Sequence, residues 1–442
     1  MKILFVSLGC DKNLVDSEVM LGLLEKKGFQ FTDDETEADV IVINTCCFIN
    51  DAKEESVNTI LEMAEYRKSG GCKALVVTGC LAQRYQKEIV DEIPEVDAVL
   101  GTTTYDAIVE TVEKVLEGQK ELHFEDVDRL VPEQTTGRSL TTGGHYAYLK
   151  IAEGCDKHCT YCIIPKVRGN YRSVPMEQLL KEAEDLAEKG VKELILVAQE
   201  TTVYGKDLYG EKKLPELLKK LAQISGIRWI RVLYCYPEEI TEELIQTIKE
   251  EPKICHYLDL PIQHASDRIL KRMGRRTTQE DLRRIIGHLR EEIPDICLRT
   301  TLITGFPGET QEDHEELMRF VDDCEFDRLG VFTYSPEEDT PAAGMPDQIP
   351  EEVKEDRRAE LMELQQDIAF DKAEAMTGRE LEVMVEGKVA DENAYVARTY
   401  KDAPGVDGYL FLNTEETMMS GDFAKVRVTG AAEYDLIGEL TE

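Results

Sequence analysis

Long apolar runs are missing from this 442-residue chain: a stretch such as Leu194-Ile-Leu-Val-Ala198 falls far short of the roughly 20 residues that cross a bilayer. A soluble protein without membrane association is expected. Positive charge is short as well, with 52 Lys and Arg against 89 Asp and Glu and a net charge of −37. Such a surface repels phosphate backbones, whereas nucleic-acid binders present a basic face. Solubility alone could account for the acidity; a basic protein partner is the sharper reading. No leader is expected either. The start, Met1-Lys-Ile-Leu-Phe-Val-Ser-Leu-Gly-Cys10, has the outward form of a lipoprotein signal, but its apolar part is too short and fits an alternating strand better. The chain is therefore expected to be cytoplasmic, in a reducing compartment where cysteines serve metals or cores rather than disulfides.

Cysteine is what the chain has in quantity, twelve in all. The stretch Gly154-Cys155-Asp-Lys-His-Cys159-Thr-Tyr-Cys162-Ile-Ile-Pro165 spaces three of them by four and then three positions, with Tyr161 before the last. Such a loop can place three thiolates around one metal centre, which suits iron-sulfur clusters and zinc. For zinc, His158 is the nearest fourth ligand, but it immediately precedes Cys159 and would have difficulty reaching the metal that Cys159 holds. Three thiolates on a four-iron cluster leave one iron open to a substrate.

At this length two to four domains are expected. Residues 1–117 alternate strand and helix: strands at 2–8, 39–45, 73–78 and 96–100, helices at 16–27, 53–68, 83–92 and 105–116. That alternation argues a doubly wound parallel sheet, whose sites form at the carboxyl ends of the strands. Cys10, Cys46 and Cys80 each follow directly after a strand, separated by about one β-α-β period, so they should converge as a second metal site. Cys47 is expected to be a neighbour in the turn, since adjacent residues of an extended segment point apart. Residues 118–145, with Thr135-Thr136-Gly137 and Thr141-Thr142-Gly143-Gly144, read as a linker.

A second alternating block follows, with strands expected at 147–152, 193–198, 229–234, 257–262, 298–303 and 328–333 and with helices between them. Six units fall short of a closed eight-stranded barrel, so a partial (β/α)6 barrel over 146–375, including a connecting helix, is expected. Polar groups gather at three strand ends: Gln199-Glu200-Thr201-Thr202, Gln263-His264, and Thr304-Gly305-Phe306-Pro307-Gly308. Gly305 and Gly308 would let the backbone approach a cofactor closely. Arg231 and Arg299 could bind a cofactor carboxylate or form ion pairs inside the barrel. Cys235, Cys255, Cys297 and Cys324 have no spacing partner and read as core. Short strands over 376–442 suggest a small antiparallel β-barrel. It carries 6 Lys or Arg against 14 Asp or Glu, a net of −8.

The Cys155, Cys159, Cys162 loop with Tyr161 resembles the radical S-adenosylmethionine superfamily signature. Gly9-Cys10-Asp-Lys-Asn13-Leu-Val-Asp16-Ser17-Glu18, Asn44-Thr45-Cys46-Cys47 and Thr78-Gly79-Cys80 resemble the amino-terminal domain of the methylthiotransferases, and the terminal barrel is similar to their TRAM domain. The resemblance implies two four-iron clusters, one on Cys155, Cys159 and Cys162 that reductively cleaves S-adenosylmethionine and one on Cys10, Cys46 and Cys80 that presents sulfur. It further implies that Glu200 or Gln199 meets the methionyl amino group, that the backbone at Tyr161 and the segment from Thr304 through Gly305 to Gly308 hold adenine, and that Gln263 binds ribose. Cys10 to Glu18 and Ala198-Gln-Glu-Thr-Thr-Val-Tyr-Gly-Lys-Asp207 look like the branch that adds a methylthio group to the β-carbon of an aspartate in small-subunit ribosomal protein twelve. A basic ribosomal protein suits so acidic an enzyme. Nothing looks like a flavin site, so an external low-potential electron donor is required. A tRNA adenosine methylthiotransferase is the alternative within enzymes, and a ribosome-associated metal-binding protein the alternative outside them.

Overall fold

The computed structural model describes residues 1–129, 137–390 and 392–441. Runs such as Val40-Ile-Val-Ile-Asn-Thr45 and Ala74-Leu-Val-Val-Thr-Gly79 are buried at every position. Strands without a solvent face belong in a parallel sheet covered on both sides. They are the centre of a six-stranded sheet in the order β2-β1-β3-β4-β5-β6, from β1 (Lys2–Ser7), β2 (Gln30–Phe31), β3 (Val40–Thr45), β4 (Ala74–Gly79), β5 (Ala98–Leu100) and β6 (Glu121–His123). Every pairing in it is parallel.

Several boundaries read from the sequence shift, and the helix expected over 83–92 is two, Cys80–Tyr85 and Lys87–Glu92, broken at Gln86 with its positive φ. The first helix spans Asp11–Lys26 rather than starting at Asp16, with extended Cys10 as its cap residue. Edge strand β6 lies within the stretch read as linker, so the first sheet runs past residue 117; three residues are too few to show a period. Thr135 and Thr136 lie outside the described residues, while Arg138 and Thr141 return to Glu18 on the first helix.

The second sheet has the order β14-β13-β12-β11-β10-β7, formed by β7 (Tyr146–Lys150), β10 (Glu193–Val197), β11 (Trp229–Val232), β12 (Ile254–Asp259), β13 (Cys297–Thr304) and β14 (Arg328–Thr333). All its pairs are parallel, as expected of the partial barrel. A short antiparallel ribbon of β8 (Ala152–Glu153) and β9 (Arg172–Ser173) frames the cysteine loop between them. Outward residues of these strands, such as Leu194 and Leu196, join the helices in one large core. Inward ones, such as Ile195, Trp229 and Cys255, meet Met384 and Ala403 of the last domain.

That last domain is a closed barrel in the order β15-β16-β17-β19-β18, from β15 (Glu380–Lys388), β16 (Ala394–Thr399), β17 (Leu410–Asn413), β18 (Phe423–Ala432) and β19 (Asp435–Leu440). It departs from all-antiparallel pairing at one seam, where β17 and β19 run parallel and so leave no exposed edge. Its Arg398 reaches Glu193 at 2.7 Å, Glu193 takes Arg231 at 2.8 Å, and all three side chains are fully buried. Phe423 packs edge-on against Trp229 at 5.0 Å. Glu193 and Trp229 begin their strands, so the small barrel plugs the amino-terminal end of the partial barrel and leaves the carboxyl end as the mouth.

Candidate active site

The three strand-end cysteines lie within electrostatic reach of one another: burial raises the thiols of Cys46 and Cys80, and charge on Cys10 raises both further. The glycines before them make the approach possible. Gly9 and Gly79 both have positive φ, at 89° and 93°. A Cβ on Gly9 would stand 2.8 Å from Cys46 Cβ, and one on Gly79 would stand 2.3 Å from Asn44 Oδ1. Only glycine fits either place. Asn13 ties the loops together, donating to Leu8 O at 3.1 Å and Thr45 O at 2.9 Å. Cys46 is clamped through both its backbone N–H and C=O by Ser56 Oγ, at 3.0 and 2.9 Å. Cys47 is fully buried in the adjoining core, which it shares with Cys80, and after burial the charge on Cys80 is what most raises its thiol. Cys72 precedes β4 and donates to Ala74 O, at the opposite end of the strand from Cys80.

The Cys155 to Cys162 loop is held from three sides. Cys155 N–H donates to Gly169 O at 3.1 Å, Thr160 N–H to Met273 O at 2.9 Å, and Ala342 N–H to Thr160 O at 2.9 Å. Gly154 is forced, since a Cβ there would meet Asn170 O at 2.1 Å. Burial pushes the Cys155 thiol up to about 12, and charge on Cys159 adds to it. Burial followed by charges on Cys159 and Cys155 raises Cys162 still further. Tyr236 OH lies 3.6 Å from Cys159 Sγ.

Residues expected around the cofactor divide into two groups. Glu200 lies beside Cys155, whose thiol feels its charge. It is 1% exposed, and burial raises its carboxyl to about 7 against the pull of Thr202 and Lys157. Its Oε2 has no hydrogen-bond partner, and neither has Gln199 Oε1. Lys157 Nζ stands 3.7 Å from that Glu200 oxygen, too far for a hydrogen bond, so two buried acceptors keep room for an ammonium-bearing ligand. Tyr161 stands edge-on to Phe306 at 6.5 Å, which brings it to the Thr304 to Gly308 segment as expected. Gln263 sits at the β13 end with a strained φ of 73°. Thr304 and Gly305 face elsewhere. The Thr304 hydroxyl donates to Lys354 O at 3.2 Å, and the space beside Gly305 is filled by Lys354, whose Cγ would lie 2.1 Å from an added Cβ. Gly308 likewise makes room for Arg272. These glycines serve the packing of side chains, which a sequence cannot distinguish from the approach of a ligand. Arg231 and Arg299 prove to be ion pairs, with Glu193 and with Asp259. The four unpartnered cysteines are buried core, as read.

The sequence reading missed Arg168. Fully buried, its Nε donates to Cys80 Sγ at 3.3 Å, its Nη1 to Asp16 at 2.7 Å and Glu153 at 3.1 Å, and its Nη2 to Asn13. Burial opposes ionisation of Glu153, yet Arg168 and Lys150 together hold its carboxyl below the ordinary range. Glu153 in turn accepts from Gln199 Nε2 at 2.9 Å. One chain of polar contacts thus runs from the first cysteine trio to the residues beside the second. Tyr234, at the end of β11, completes the junction by donating to Asp11 at 3.0 Å while Lys12 covers its ring. The signal for Arg168 lay just past the cysteine motif, in Ile164-Pro-Lys-Val-Arg168-Gly169, where an arginine before a glycine reads as an ordinary turn.

Two thiol trios without a fourth protein ligand fit two iron-sulfur clusters by donor chemistry. Among the described residues no three His, Cys, Asp or Glu side chains converge on a single metal-ion position. Thiolates that each bind a different iron have no need to.

Three family models match the chain: "Uncharacterized protein family UPF0004" over residues 2–101, the radical SAM superfamily over 149–321 and the TRAM domain over 377–441. The chain is 68% identical to the ribosomal protein uS12 methylthiotransferase RimO of Lachnoclostridium phytofermentans, over 99% of both chains. It is 54% identical to the protein of the same name from Acetivibrio thermocellus, covering 99% of this chain and 98% of that one. Among solved structures it resembles the radical S-adenosylmethionine methyltransferase TsrM of Kitasatospora setae, with a TM-score of 0.55 at 14% identity over 88% of this chain and 79% of that one. The cobalamin-dependent S-adenosylmethionine radical enzyme OxsB gives 0.52 at 15%, over 83% and 56%. At such identities the likeness concerns the fold.

Proposed function

The chain belongs to the radical S-adenosylmethionine methylthiotransferases of the ribosomal protein uS12 type, and from that premise we propose that it adds a methylthio group to the β-carbon of an aspartate in uS12. Cys155, Cys159 and Cys162 hold one four-iron cluster, and Cys10, Cys46 and Cys80 the other. Bound there, the two clusters and S-adenosylmethionine supply the hydrogen-abstracting radical, the sulfur and the methyl group. What carries the reading is the Arg168 bridge, which sets one thiol trio against the mouth of the barrel that bears the other.

The chain's own residues bind and orient. The Glu200 carboxylate accepts the methionyl ammonium, helped by the free oxygen of Gln199, whose amide group is held the right way round by Glu153. Tyr161 and Phe306 offer an aromatic wall to adenine, and Gln263 stands toward ribose. Thr304 and Gly305 contribute backbone alone. Lys12, buried, and Tyr234, half-buried, exclude water from the junction.

Charge supports a basic protein as substrate. The −8 terminal barrel sits at the plugged end of the partial barrel, so it acts on a ribosomal protein through its field rather than by contact at the mouth. No helix among the described residues is long and apolar enough to cross a membrane. A cytoplasmic enzyme, fed by a low-potential electron donor and inactive on tRNA, completes the proposal. Mass spectrometry of uS12 after anaerobic incubation with the reconstituted enzyme and S-adenosylmethionine tests it. The methylthio mass on one aspartate is expected; label from the methyl group entering tRNA instead would overturn it.

A further inference from the structure

Lys271, Arg272, Arg275 and Arg276 place four cations within six residues of a chain whose net charge is −37. Among the described residues none of the four pairs with a carboxylate. Arg272 Nε donates to Pro307 O at 3.0 Å and Arg275 Nη2 to Pro261 O at 2.8 Å, both carbonyls. Lys271 and Arg276 are exposed, and Arg272 and Arg275 keep buried N–H groups without partners. The carboxylates nearby are engaged: Glu238 and Glu239 by Lys157, and Asp281 by Arg284.

This segment backs the Cys155 to Cys162 loop. Thr160, next to Cys159, donates its N–H to Met273 O and its hydroxyl to Arg272 O, each at 2.9 Å. Arg275 lies 4.3 Å over the ring of Tyr236, whose hydroxyl is 3.6 Å from Cys159 Sγ. Beside it opens a groove of about 740 Å³, where Arg276, Arg283 and Arg284 and apolar Ile240 and Ile285 share the walls with four carboxylates, so the unpaired positive charge lies on the segment itself and not in the groove. Unpaired cations behind a cysteine loop are what a transient electron-transfer contact needs. Such interfaces are small, and opposite charge speeds the encounter.

We propose that the Lys271 to Arg276 segment is the docking surface for a small acidic one-electron carrier protein of low potential. The proposal rests on the function given above, which requires such a donor. The carrier is oxidised by one electron, and the centre held by Cys155, Cys159 and Cys162 is reduced by one. RNA fits less well, because an extended polyanion leaving this short segment would run over acidic surface.

The test reduces the anaerobic full-length enzyme with a reduced plant-type ferredoxin, a small acidic carrier, and separately with dithionite, following cluster absorbance by stopped flow. Lys271→Glu and Arg276→Glu are both exposed changes that spare the packed arginines. Combined, they should slow reduction by ferredoxin about tenfold at low salt, flatten its salt dependence and weaken equilibrium binding of oxidised ferredoxin, while dithionite rates stay within about twofold. An unchanged ferredoxin rate and affinity would overturn the assignment. So would equal slowing with dithionite, or loss of ribosomal RNA binding alone. A wild-type chain without any dithionite-reducible cluster would count against the proposed function instead, and the binding arm would still judge the docking surface.

Discussion

The guanidinium of Arg168 donates its Nε–H to the sulfur of Cys80 across 3.3 Å, from one domain to a thiol carried by another. The same group holds Asp16 at 2.7 Å and Glu153 at 3.1 Å, so a single buried cation registers the amino-terminal sheet against the barrel. Arg168→Lys keeps the charge but loses the planar fork. Its cluster on Cys10, Cys46 and Cys80 should have a lower reduction potential, because hydrogen bonds to sulfur raise it. Redox titration followed by electron paramagnetic resonance measures this. Arg168→Met should cost about 3–5 kcal/mol in chemical denaturation, because it leaves buried Asp16 and Glu153 to share the one cation of Lys150.

Gly79→Ala should remove one cluster and spare the other. The new Cβ would stand 2.3 Å from Asn44 Oδ1 and 2.5 Å from Thr45 O at a φ of 93°, which displaces Cys80. Iron analysis should fall from roughly eight to roughly four atoms per chain, with the signal of the Cys155, Cys159, Cys162 cluster intact.

Replacing cysteines by alanine should separate the two chemistries. Cys155→Ala is expected to abolish both 5′-deoxyadenosine formation and methylthiolation. Cys10→Ala should abolish only the second, since the cleavage site is untouched; chromatography of the small-molecule products decides.

Buried Glu200, with its carboxyl raised to about 7 from an ordinary 4.5, makes stability and binding respond oppositely to pH. The folded state prefers the protonated acid, so this contribution is whole below about 4.5 and is lost as pH rises through about 7. The loss amounts to about 3 kcal/mol. Denaturation at pH 5 and pH 8 should show Glu200→Gln closing much of that gap. Affinity for S-adenosylmethionine should rise over the same interval as the carboxylate forms, and in Glu200→Gln the rise should vanish.

Glu193→Gln should destabilise the plug of the partial barrel by about 3–5 kcal/mol, because Arg398 and Arg231 both lose a buried partner. Denaturant midpoints of the full chain check it. Replacing all three by apolar residues of similar volume should recover most of the loss.

Spacing made the six cysteines legible, because metal ligation depends on few residues at fixed separations. The parallel sheets were legible for the same kind of reason, since fully apolar runs such as Val40 to Ile43 admit little else. The short elements were not: β2, β6 and the parallel closure of β17 on β19 rest on partners distant in the chain. Gly305 shows where local inference fails. Its sequence neighbourhood reads as a cofactor loop, yet a lysine from a helix some fifty residues further on occupies the space it leaves.

The order of residues by itself set out two candidate cysteine trios, three domains and a chemistry of one family, since each is written in spacing or period over a short stretch. Only the tertiary structure decided that Arg168 joins the trios, that Glu200 is buried beside Cys155, and that four unpaired cations back the cysteine loop. Those relationships depend on which distant side chains share a dry interior, and on which charges find partners there.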